Sequence, residues 1–253
     1  MKARIIKPQD QAKGTFDGGK ITEQKPIGFS GEGSVIDRLG PLFYWAWAHA
    51  EGPAEIGLHP HKGFEIITYV IQGSGHHRDT MGTSSMVEEG GAQLMQTGSG
   101  VSHAEAIKEP SELFQIWLEP NLIEAVKRTP SYSQYDSSDF SSDHRHGSLI
   151  KNVLGNGSPM KIETDAQMWD ITIEDGATYS HRLSPNRALA GLAIRGNGSL
   201  EIVDESTYAF QHKDFFIVQA EAGGELEIRA EEGEVRLFLI EVPLEVEYAL
   251  YRK

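Results

Sequence analysis

Two short patterns in the chain combine residue types that bind metals: His59-Pro60-His61 and His103-Ala104-Glu105. In an extended strand, residues i and i+2 point to the same side. One strand can therefore offer two imidazole nitrogens, and a second can offer a nitrogen and a carboxylate oxygen facing them. Four ligands, His59, His61, His103 and Glu105, could converge inside a barrel on one divalent metal ion. An N3O set with open positions suits iron(II), manganese, nickel, copper or zinc, and the affinity series alone does not choose among them. The chain has no cysteine, so disulfides, thiolate sites and a cysteine nucleophile are excluded. Ten histidines in 253 residues will produce an occasional His-x-His by chance. The two patterns together, on strand-like segments framed by Gly57, Gly63, Gly98 and Gly100, carry more weight than either alone, because these glycines permit tight turns and close backbone approach.

Other candidates are weaker. His144 and His146 form a further His-x-His in a polar segment without a companion carboxylate, and read as solvated. His181 and His212 stand alone, so no metal site is expected in the second half. His76, His77 and Asp79 follow a Gly73–Gly75 turn, and the doubled histidine leaves open which ring faces inward. Phe43, Tyr44, Trp45 and Trp47 alternate as a strand should and read mostly as core, with one ring available to line a metal pocket. Met95 and Trp117 carry the same ambiguity.

The elements that must position these groups read as strands. Twenty-seven glycines punctuate short runs rich in Val, Ile, Phe, Tyr and Thr. Strands are expected over Leu42–Ala48, Phe64–Gln72, Ala92–Thr97, Leu113–Leu118, Leu189–Ile194, Asp214–Val218, Leu226–Ala230 and Val235–Val242. The one helix candidate in the middle is Leu122–Lys127. Ser131–His146 is Ser/Asp-rich with few aliphatics and reads as a linker. This predicts an all-β protein of two tandem β-barrels: residues 1–135 as a metal-binding N-terminal domain, and 136–253 as a C-terminal domain without a metal site.

Charge and hydropathy narrow the partners. With 23 Lys+Arg against 37 Asp+Glu, the formal charge is -14, which opposes a phosphate backbone. No basic run overrides it, so direct nucleic-acid binding is not expected, while a protein partner remains open. No stretch approaches the roughly 20 apolar residues of a membrane span, and the N-terminus lacks the apolar core of a secretory signal. A cytoplasmic location without membrane association is the expectation.

The segments HPHKGFEIITYVIQG, HHRDTMG, GGAQLMQTGSGVSHAE and LFQIWLEP resemble the signature segments of the pirin family of cupins. The resemblance is dense over about residues 40–120; the second half is similar mainly in length and strand pattern. It implies a bicupin fold of two jelly-roll barrels. It also implies one metal, iron(II), held in the first barrel by His59, His61, His103 and Glu105. Many other cupins supply their carboxylate ligand where Glu65 stands, but the pirin pattern assigns it to Glu105, leaving Glu65 to orient a ligand or form the pocket wall.

Pirin-like proteins are associated with quercetin 2,3-dioxygenase activity, in which a flavonol ring is cleaved by dioxygen with loss of carbon monoxide. On that resemblance the metal would chelate a small aromatic, flavonol-like substrate, and Glu105 would act as the catalytic base for its hydroxyl proton. The alternative is a non-enzymatic metal or redox sensor that regulates a protein partner through the same four ligands.

Overall fold

The computed structural model describes every residue except Asp204, and nearly all its regular structure is β-strand. The chain divides into two units: Gln11–Asp139 with Ile162–Thr164 and Glu247–Lys253, and Met1–Asp10 with Phe140–Lys161 and Asp165–Val246. A single cut after residue 135 therefore puts four stretches, 1–10, 136–139, 162–164 and 247–253, with the wrong half. The first of them contains β1 (Lys2–Ile6), which pairs antiparallel with the strand Phe215–Ala220.

The first unit contains, in chain order, β2 (Ala12–Phe16), β3 (Ile21–Ile27), β4 (Leu42–Ala50), β5 (Ala54–His61), β6 (Glu65–Gln72), β7 (Ser74–Asp79), β8 (Ser84–Glu88), β9 (Ala92–Gln96), β10 (Val101–Ile107), β11 (Ser111–Leu118) and β12 (Ser131–Tyr135). Seven of them form a sheet in the order β12-β9-β6-β11-β4-β3-β2, and four form a second in the order β5-β10-β7-β8. The aromatic and β-branched runs of β4, β6 and β11 fill the middle of the larger sheet, where side chains on both faces are buried. Trp45 and Trp47 pack edge-on against Phe114. Phe43, Tyr44, Ile66, Met95 and Trp117 cluster with Val101 of β10, which ties the two sheets together beside the histidine patterns.

The helix expected over Leu122–Lys127 is one turn, α1 (Leu122–Ala125), capped by the Asn121 side chain accepting from the Ile123 N–H. Ser131–His146, expected as a linker, contains the passage from one unit to the other between Asp139 and Phe140, but much of it is paired strand. β12 lies antiparallel to β9, and Ser142–Arg145 pairs with Ser148–Leu154. Both strands lie at the outer ends of their sheets, where polar side chains can face water while the backbone completes the ladder.

The second unit is a nine-stranded sheet. Besides β1 it holds β13 (Ser142–Arg145), β14 (Ser148–Leu154), β15 (Gln167–Ile173), β16 (Thr178–Leu183), β17 (Arg187–Ile202), β18 (Ser206–Phe210), β19 (Phe215–Ala220) and β20 (Gly224–Pro243). β17 and β20 pair over most of their length, with register shifts around Arg195. Leu189, Leu200, Phe216, Ile228 and Leu237 belong to its core. Gly191 is required there, because a Cβ would fall 2.1 Å from the Phe216 ring. Among the described residues no helix is long and apolar enough to cross a membrane.

Glu65 departs from its expected place beside the metal ligands. Its buried carboxylate accepts from Gln96 Nε2 at 2.8 Å, from the backbone N–H groups of Glu163 and Thr164 at 2.7 and 3.0 Å, and from the Thr164 hydroxyl at 2.7 Å. The chain reverses between His61, the last residue of β5, and Glu65, the first of β6, so Glu65 is not aligned with the histidines along one strand. Glu65 thus anchors Ile162–Thr164 to β6. Replacing it with alanine leaves buried donors without acceptors, each costing about 1–3 kcal/mol. Glu65→Ala should therefore lower unfolding stability by at least about 2 kcal/mol in urea titration while leaving divalent-metal affinity unchanged. Weakened metal affinity with unchanged stability would return Glu65 to the metal site.

Candidate metal centre

The register of β10 between β5 and β7 brings three imidazoles together. His103 lies directly opposite His59, and His61 faces Val101 two residues along. Cross-strand neighbours of this kind have Cβ atoms about 5 Å apart, within reach of ring-to-ring contact. His103 Nε2 is 3.0 Å from His59 Nε2 and 3.0 Å from His61 Nε2. Among the described residues, these three form the group whose ligand atoms lie close enough to share an ion, all within 4.8 Å of one another.

Each ring needs its other nitrogen occupied if Nε2 is to present a lone pair. β5 carries an extra residue at Gly57–Leu58 relative to β10, and the Gly57 carbonyl it exposes lies 2.8 Å from His59 Nδ1. A carbonyl can only accept, so Nδ1 carries the proton and Nε2 is free. For His103 the restraint is a buried relay. Its Nδ1 is 3.4 Å from His77 Nδ1, and His77 Nε2 is 2.9 Å from Asp79 Oδ2. Asp79 is fixed in turn by the N–H groups of Met81 and Thr83, which with His77 hold its carboxyl below the ordinary range against burial. An ionised Asp79 makes His77 donate from Nε2 and accept at Nδ1, so His103 donates from Nδ1 and also frees Nε2. Tyr132 stacks on His77 at 4.6 Å and bonds Ser85 and Gln93. On the opposite side the Trp117 indole stands edge-on to His61 at 4.8 Å.

Burial, reinforced by the neighbouring imidazoles, pushes both His61 and His103 down to about 3. Both are therefore neutral at pH 7, the form that ligates. The 3.0 Å from His103 Nε2 to each of the other two Nε2 atoms matches the spacing of ligands at right angles around an ion with bonds of about 2.1 Å. The residues present thus fit a divalent metal.

Glu105 is not within the close group. It follows His103 on β10, and its two carboxylate oxygens accept from Gln115 Nε2 at 3.0 and 2.8 Å. Gln115 Oε1 in turn accepts from the Trp117 indole N–H at 2.9 Å. The carboxylate is close enough to His61 to act on its charge. Together with Glu23, Thr68, Gln93 and Gln115 it lines an interior cavity of about 40 Å³, room for a few water molecules.

Several partners in this arrangement were not legible as such. Of the doubled histidine, His77 is the buried ring and His76 is half-buried. Tyr132 comes from the segment expected to be a linker. Elsewhere, His144 is exposed and 3.2 Å from Glu174, His146 and His212 are exposed, and His181 is buried against Tyr179 and Glu241.

Residues 35–118 match the family model described as Pirin. A pirin-like protein of Caulobacter vibrioides is 33% identical over 149 residues, covering 57% of this chain and 61% of that protein. A quercetin 2,3-dioxygenase of Escherichia coli K12 is 31% identical over 161 residues, covering 60% of this chain and 64% of that protein. The chain thus spans about three fifths of the length of these relatives. The crystal structure of YhhW from Escherichia coli superimposes with a TM-score of 0.78 at 23% identity, covering 98% of this chain and 100% of that one. A nickel(II) complex of the same bacterial pirin gives 0.77 at 22% identity, over 96% and 99%. At these identities the structures establish the fold: two tandem cupin-type β-structures.

Asp79→Asn keeps the Oδ1 acceptor but puts a donor against His77 Nε2, reversing the tautomers of His77 and His103. Nickel(II) affinity, read by calorimetric titration, should fall about 10–100-fold with the fold retained. Undiminished affinity would show that the relay does not orient His103.

Proposed function

We propose that this chain, whose residues 35–118 match the Pirin family model, is a metal-dependent dioxygenase of flavonol-like substrates that uses iron(II) and dioxygen. The observation that carries the reading is the convergence of the imidazoles of His59, His61 and His103, whose ligand nitrogens lie within 4.8 Å of one another. The metal would supply a Lewis-acid anchor for an enolic oxygen and a redox partner for dioxygen. The 31% identical relative named quercetin 2,3-dioxygenase supports that substrate class.

In this reading Glu105 has two roles, fourth ligand and acceptor of the substrate hydroxyl proton. Gln115 sets its position: an amide that donates to both oxygens fixes the carboxylate plane, and Trp117 fixes the amide. Trp117 stands edge-on to His61 and packs with Phe43 and Phe64 in an aromatic cluster beside the histidines.

The iron-reconstituted chain should consume quercetin under oxygen and release carbon monoxide. Glu105→Gln should slow consumption by at least about 100-fold, the lower range for a positioned base. Flavonol loss no faster than in Glu105→Gln would contradict the proposal. Gln115→Leu, which frees the carboxylate without removing it, should lower the rate by about tenfold, the cost of one charge-assisted hydrogen bond. An unchanged rate would remove Gln115 from the mechanism.

A further inference from the structure

The second unit contains a cavity of about 450 Å³ that the chemistry above does not use. Arg145, Ser148, Ile150, Trp169, Thr178 and Tyr179 line it. Ile150, Trp169 and Tyr179 also pack on the core of the unit, so one wall of the cavity is apolar and fixed. Ser148 is 1% exposed, and its Oγ has no hydrogen-bond partner in the protein. A buried hydroxyl without a partner is costly, and this one lines a space large enough for a ligand.

A chain of polar groups ends at the same cavity. Tyr179 OH is 3.0 Å from His181 Nδ1, and His181 Nε2 is 2.8 Å from Glu241 Oε2. Arg187 Nε donates to Glu241 Oε1 at 2.7 Å, and Arg187 also pairs with Asp165. Burial would raise the Glu241 carboxyl, but His181 and Arg187 hold it below its ordinary value. Glu241 is then ionised and can only accept, so His181 donates to it from Nε2, and the tautomer this selects accepts at Nδ1. Burial pushes the Tyr179 phenol up, so it keeps its proton and donates it to His181. The Tyr179 oxygen retains its lone pairs as acceptors for a ligand.

We propose that this cavity is a second small-molecule site and that it takes a phenolic carboxylic acid. The aromatic ring lies along Trp169 and Ile150. The ligand hydroxyl donates to the Tyr179 oxygen, and Ser148 gains the partner it lacks. The carboxylate meets Arg145, an exposed guanidinium that also pairs with Asp143 and acts on the Tyr179 hydroxyl through its charge. The relay to Glu241 fixes the direction of the Tyr179 proton and thereby selects a donor over an acceptor at that position.

The test is calorimetric titration of the full chain with 4-hydroxybenzoate, benzoate and phenol. The site predicts saturable binding of 4-hydroxybenzoate, with benzoate and phenol each weaker by about tenfold, one hydrogen bond or charge contact. Tyr179→Phe should weaken 4-hydroxybenzoate by about tenfold and leave benzoate unchanged. Ser148→Ala, which removes only a hydroxyl, supplies an independent arm with the same sign for 4-hydroxybenzoate. His103→Ala should bind all three as the parent does, separating this site from the three histidines. Absence of saturable binding, equal affinity for the three probes, or loss of binding in His103→Ala would overturn the proposal. So would parent-like 4-hydroxybenzoate binding by both Ser148→Ala and a folded Tyr179→Phe.

Discussion

The Nε2 atoms of His59 and His61 each stand 3.0 Å from that of His103, and ring nitrogens that present lone pairs to one another at this distance are not held there by attraction among themselves. Lone pair opposes lone pair, and burial removes the water and the protons that would relieve it. The arrangement therefore depends on backbone pairing. β10 is flanked on both sides, by β5 with His59 and His61 and by β7 with His77 and Asp79, so its ladder sets the separation of all five side chains. The same constraint explains the restraints on the rings. A bulge carbonyl takes the His59 proton, and a buried carboxylate, acting through His77, takes that of His103. A cation placed among the three nitrogens turns an opposed arrangement into a favourable one, which is the physical content of a preorganised metal site.

The parts of this site that a sequence reveals are those governed by local periodicity. Residues two apart on a strand share a face, so His59 with His61 could be read directly, and the pairing of β5 with β10 brought His103 to them. Parity fails where the backbone departs from regular pairing. Glu65 lies past a chain reversal, and its carboxylate caps Glu163 and Thr164 instead of facing the histidines. Tyr132 was hidden by composition: in SYSQY the serines and glutamine are what an edge strand shows to solvent, and the ring between them stacks on His77. The choice between His76 and His77 could not be made without the register of β7 against β10, since alternation leaves two possible phases. The fold was more legible than the site because it rests on many weak, redundant signals, whereas tautomer control rests on single long-range contacts.

The two units use histidine in opposite ways. In the first, carbonyl and carboxylate acceptors draw protons away from the ring atoms that face the site, leaving Nε2 lone pairs. In the second, the ionised Glu241 holds a proton on His181 Nε2, so that Nδ1 takes the hydrogen of Tyr179 and leaves a phenolic oxygen at the cavity. The first arrangement presents donors for a cation and the second an acceptor for a hydroxyl. Both follow from one rule, that a buried ionised carboxylate can only accept and so dictates the tautomer of the imidazole next to it.

The central claim is that His59, His61 and His103 together bind one divalent ion. X-ray absorption at the metal edge of the nickel(II)-loaded chain counts imidazole ligands through their multiple-scattering signature. Three imidazoles in the parent, falling to two in His103→Ala, is the result this structure predicts. A spectrum with no imidazole scattering, or one unchanged by His103→Ala, would contradict it.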